Sequence, residues 1–70
     1  MSPRNPRLSS KEMISLLERE GFMVVSIRGS HCKLRDGAGT IVIVPLHRDP
    51  LRPGTQSSIL AQAGVSLPGD

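Results

Sequence analysis

The chain has 70 residues, 37 % of them hydrophobic, and nine Lys and Arg against six Asp and Glu leave a net charge of +3. This length holds one small domain. Its 19 Leu, Ile, Val and Phe residues, about 27 % of the chain, stand above the roughly 20 % below which chains stay disordered, so a fold with a thin core is expected. A single aromatic residue, Phe22, excludes modules that stack bases on rows of rings, and a single cysteine, Cys32, excludes a disulfide framework or a CxxC zinc site.

Residues 1–7 (MSPRNPR) carry two prolines, two arginines and no periodicity, and read as a loose arm. No apolar segment follows them and no stretch has the length of a membrane span, so a soluble, cytoplasmic chain is expected. A helix is expected over about 10–20. Ser9 and Glu12 form a capping box, Leu8 and Met13 stand at the positions of a hydrophobic staple, and Met13, Leu16 and Leu17 share one face. Gly21 is its stop signal, with Phe22 placed to pack back on it.

Three strands follow. Phe22–Ile27 is dense in β-branched and large apolar residues, Arg28-Gly29-Ser30 is turn material, His31–Arg35 alternates, and Thr40–Val44 is the strongest strand signal. Asp36 to Gly39 forms the second hairpin loop. Pro45 to Gly54 holds three prolines and reads as a connection. A second helix is expected over about Thr55–Ala63, with Ile59, Leu60 and Ala63 on one face, Gly64 as its stop and residues 66–70 as a tail. Tight loops and no crossover imply an α+β fold of order α-β-β-β-α. Its three-stranded antiparallel sheet carries both helices on one face and leaves the other open.

Strand alternation puts Cys32 and Leu34 toward the core and His31, Lys33 and Arg35 on the open face. An imidazole between cations suits a phosphodiester: the cations hold phosphate oxygens, and histidine as a residue type exchanges protons near neutral pH. Gly29 permits close backbone approach, and Ser30 adds a hydroxyl and an N–H. Spacing alone leaves this face readable either as solvated surface or as a site. The same holds for His47, which lies near Arg48 and Arg52 in the proline-rich loop and is either an ordinary loop residue, a phosphate contact or a second proton carrier. The start of the second helix (Gly54, Thr55, Gln56) offers free N–H groups to an anion. The core-side position of Cys32 argues against a nucleophile, and two histidines without ligand spacing make no case for a metal or other cofactor.

At Gly29-Ser30-His31 and its surroundings the chain resembles the HicA family of toxin–antitoxin mRNA interferases, over about residues 8–65. Ser10-Lys11-Glu12 with Leu16-Leu17 and Gly21-Phe22 is similar to the family's opening helix and exit. Gly29-Ser30-His31 is similar to its G-S-H motif, Val44-Pro45-Leu46-His47 to its V-P-x-H segment, and Leu51 to Gly64 to its closing helix. The chain departs from a common form of the motif at Cys32, where many members carry a second His. The resemblance implies a fold like a double-stranded-RNA-binding domain. It also implies a metal-independent endoribonuclease acting on mRNA, silenced by a HicB-type antitoxin, with no membrane association and no DNA binding of its own. The family's catalytic histidine then corresponds to His31, and the strand, turn and loop pattern above makes Arg28, Gly29, Ser30, Lys33, Arg35 and His47 the expected RNA contacts. Two other functions stay open: an RNA-binding module that does not cut, and a toxin relic that only binds the antitoxin.

Overall fold

A computed structural model describes residues 7–67; residues 1–6 of the expected arm and 68–70 of the expected tail lie outside it. The order is α1 (Ser10–Arg19), β1 (Met23–Arg28), β2 (His31–Arg35), β3 (Ile41–Pro45) and α2 (Pro53–Ala63). The α+β fold is therefore as expected, with an antiparallel sheet in the order β1-β2-β3. Among the described residues no helix is long and apolar enough to cross a membrane.

Local chemistry sets the ends of α1. The Ser9 side chain accepts the Glu12 N–H at 3.0 Å while the Glu12 carboxylate accepts the Ser9 N–H at 2.9 Å, so two otherwise orphaned donors are satisfied reciprocally. At the other end Gly21 takes φ +98°, a conformation that costs a side-chain-bearing residue about 1–2 kcal/mol. That turn lets Gly21 N–H donate to Glu18 and Phe22 N–H to Leu17, closing the last turn. The same turn drives Phe22 into the core at 3 % exposure, so β1 starts one residue later than the apolar run suggests.

β2 and β3 alternate exposed and buried residues. Cys32, Leu34, Val42 and Val44 meet Met13, Leu16 and Leu17 of α1 and Ile59 and Leu60 of α2 in one core, leaving the opposite sheet face uncovered. β3 runs one residue past the expected range, through Pro45, which as an edge residue needs no ladder N–H. α2 starts at Pro53 rather than Thr55 because proline is tolerated at the first helical position. Arg7 and Leu67 are both tied down: Arg7 Nε donates to the Leu51 carbonyl at 2.9 Å and Nη2 to that of Pro50 at 3.0 Å. Leu67 is buried in the core at 6 % exposure, which the tail reading did not anticipate.

Candidate nucleic-acid interface

The open face is organised in three rungs by strand register. Across β1, β2 and β3 they read Arg28–His31–Pro45, Ser26–Lys33–Ile43 and Met23–Arg35–Ile41. His31 thus stands on the central strand, at the end nearest the β1–β2 turn, with Arg28 beside it and Lys33 and Arg35 further along the same face. All four are exposed, and none of the residues in these rungs is a carboxylate. The alternation in His31–Arg35 therefore places these side chains as expected.

Gly29 and Ser30 make the turn. Gly29 has φ +54°, and nothing lies within 4 Å of the place a Cβ would occupy. The glycine therefore serves the backbone conformation and leaves open space over the turn. Past the Arg28–His31–Pro45 rung the Leu46 N–H donates to the Ser30 carbonyl at 2.6 Å, extending the β2–β3 ladder to the turn. This draws the chain carrying His47 to the same end of the sheet as His31.

A third element holds that end together. Ser10, buried at 5 % exposure in the first turn of α1, donates its hydroxyl to the Pro45 carbonyl at 2.6 Å and accepts the His47 N–H at 3.0 Å. No sequence signal marks Ser10 for this role, because its partners are 35 and 37 residues away. Below His47 the β3–α2 connection and the start of α2 enclose a polar basin of about 570 Å³. Arg7, His47, Arg48, Arg52, Asp49 and Thr55 line it. The expected free N–H at Gln56 is not available there: it donates to the Arg52 carbonyl at 2.8 Å, while the Gln56 side-chain oxygen accepts the Leu8 N–H at 2.7 Å.

Two further features bear on chemistry. Cys32 is fully buried on the opposite face of β2 from His31. Burial, and secondarily the negative charge of Glu18, push its thiol above the ordinary range, the reverse of what a nucleophile needs. Ile41 and Ile43, 45 % and 41 % exposed, set apolar surface beside Arg35 and Lys33. Their run of β-branched residues marks a strand but not which of them stay uncovered. Among the described residues no three His, Cys, Asp or Glu side chains gather as metal ligands.

Comparison with known proteins agrees with this architecture. No curated protein matches the chain, but the family model of the HicA toxin of bacterial toxin–antitoxin systems matches residues 10–65. That span runs from the first residue of α1 past the end of α2 and contains the turn, all three rungs and the His47 loop, so the chain belongs to the HicA toxin family.

Proposed function

We propose that this toxin is an endoribonuclease acting on mRNA, with His31 as its catalytic residue and a HicB-type antitoxin as its inhibitor. The observation that carries the reading is the position of His31, exposed on the central strand beside Arg28, with Lys33 and Arg35 on the same acid-free face. A polymer laid across an open sheet needs no deep pocket, and phosphate contacts need no aromatic rings. His31 removes the proton from a ribose 2′-OH, the 2′-oxygen attacks the adjacent phosphorus, and the 5′-oxygen of the next nucleotide leaves, taking a proton from His47 or water. The products end in a 2′,3′-cyclic phosphate and a 5′-hydroxyl. Arg28 and Lys33 neutralise charge that builds on the phosphate oxygens, while Gly29 and Ser30 offer backbone at the turn. Arg35 binds further along the strand and His47 lies beside the reacting phosphate. The chemistry asks no metal of these residues, so cleavage is expected to continue in EDTA.

The test uses purified chain, end-labelled mRNA and the His31→Ala variant. The wild type is expected to cut and leave cyclic phosphate ends. His31→Ala is expected to lose about 10²–10⁴-fold in rate while keeping its circular dichroism spectrum and its RNA affinity. A folded His31→Ala protein that cuts at the wild-type rate would falsify the assignment. A salt-dependent mobility shift with no cleavage by the wild type would leave only a binding module.

A further inference from the structure

β1 is one of the two edge strands of the sheet, and all six of its residues are exposed. Met23 is 70 % exposed, Ile27 61 %, Val25 48 % and Val24 38 %, although this segment is among the most apolar in the chain. Val24 and Ile27 stand opposite Leu34 and Cys32, both fully buried. The helix-side surface of the sheet is therefore covered over β2 and bare over β1. Six residues span about 20 Å, and such an edge presents backbone donors and acceptors to any strand that reaches it. Proteins usually blunt exposed edges with proline, inward charges or bulges. β1 has no proline and no charge before Arg28, and its one irregularity is the bulge between Val24 and Ser26.

We infer that β1 is the docking edge for the antitoxin, which adds an acidic strand alongside it. Side chains of that strand would cover Val24 and Ile27 on the helix side and face Arg28 on the open side. Charge selects this occupant over a second copy of the chain. The face continuous with β1 carries Arg28, Lys33 and Arg35 with no carboxylate among the rungs. Pairing β1 with its own copy would join two such faces on molecules of net charge +3 each, whereas acidic residues on a partner strand meet opposite charge. Main-chain pairing supplies affinity and alternate side chains supply specificity, as in other strand-addition complexes.

Position gives the docking a consequence for the site. Arg28 pairs directly with His31, so a strand added outside β1 stands two strand spacings from His31, about 10 Å. Its open-side side chains compete with a phosphodiester for Arg28. This inhibitory step rests on the RNA-cleaving reading above, whereas the docking itself does not.

The experiment takes the chain with its cognate antitoxin and compares wild type, Ile27→Glu and Ile27→Val. Ile27 is 61 % exposed, so the fold tolerates a carboxylate in its place. That carboxylate lies on the side of the sheet away from His31 and would be buried without a partner under the side chains that cover Ile27. Ile27→Glu is expected to weaken antitoxin binding at least 100-fold, to keep RNA cleavage within two-fold and to escape inhibition, while Ile27→Val binds as wild type does. Amide hydrogen exchange is expected to slow at alternate residues of 23–28 in the complex, which side-chain docking alone does not produce. Unchanged exchange along β1, or antitoxin binding by Ile27→Glu at wild-type affinity, overturns the inference. So does a stable dimer of the chain alone that Ile27→Glu dissolves, since that makes a second copy the occupant. Loss of cleavage with docking intact would remove only the inhibitory step.

Discussion

The hydroxyl of Ser10 accepts the backbone N–H of His47 at 3.0 Å, joining the first turn of α1 to the loop that leaves β3. Its other bond, to the Pro45 carbonyl, makes Ser10 a clamp on the end of the sheet where His31 sits. Alanine has the higher intrinsic helix propensity, so a loss in Ser10→Ala reports the two bonds and not the helix. Leaving a buried donor or acceptor without its partner costs about 1–3 kcal/mol, a large part of what a core this small supplies. Urea denaturation of Ser10→Ala is expected to show that loss, with a melting temperature lower by roughly 4–8 °C per kcal/mol. A midpoint equal to wild type would mean that the loop holds its place without the clamp.

The clamp also bears on how protons move. If His47 protonates the leaving 5′-oxygen while His31 acts as base, the rate falls on both sides of a pH optimum. His47→Ala is expected to lower kcat and to flatten one limb of that profile, leaving the His31 limb in place. Retention of both limbs would assign the second proton to water and reduce His47 to a phosphate contact.

The basin beside His47 extends the same surface. Arg48 and Arg52 line it, both are exposed, and an arginine fork suits phosphate oxygens. Each phosphate contact on a single strand contributes about 0.7 to the slope of log affinity against log salt. Replacing both with glutamine is expected to lower that slope by about 1 to 1.5 and to raise KM. Single-turnover cleavage at saturating RNA should stay unchanged, because neither side chain stands in the His31 rung. An unaltered salt slope would exclude the basin from the RNA path.

What could be read from the residues depended on the range of the forces involved. The Ser9–Glu12 box, the Gly21 stop and the alternation of His31–Arg35 are local, and each appears in the fold where the sequence places it. The exposure of β1 depends on where the helices lie over the sheet, and an apolar run such as Phe22–Ile27 looks the same at an edge as in a centre. The bulge beside Val25 compounds this, since one extra residue sends Val24 and Ser26 to opposite faces. Ser10, with partners far along the chain, and Leu67, buried although it follows the stop at Gly64, are set by tertiary packing alone. The His31 face was legible because a two-residue period sorts it. The basin was half legible, with Arg48 and Arg52 visible beside His47 but Arg7 too distant in sequence.

Cys32 provides a prediction with a definite sign. Its side chain is fully buried between Ile27 and Val44 in the register, and burial, then the Glu18 charge, raise its pKa. An unfolded thiol loses its proton near about pH 8.5, while the folded one keeps it to higher pH. The resulting contribution to stability is complete below about pH 8.5 and is lost as pH rises through the folded value. Wild-type stability is therefore expected to fall above about pH 8.5 more steeply than that of Cys32→Val, which has no proton to lose. At neutral pH Cys32→Val should stay within about 1.5 kcal/mol of wild type as a swap between small apolar groups. Cys32→Ser should cost about 1–3 kcal/mol for a buried hydroxyl. Urea midpoints at neutral and alkaline pH measure all three proteins, and iodoacetamide should label the native thiol only at the rate of unfolding. An alkaline decline equal in wild type and Cys32→Val, or rapid labelling of the folded protein, would show that the thiolate is tolerated in place.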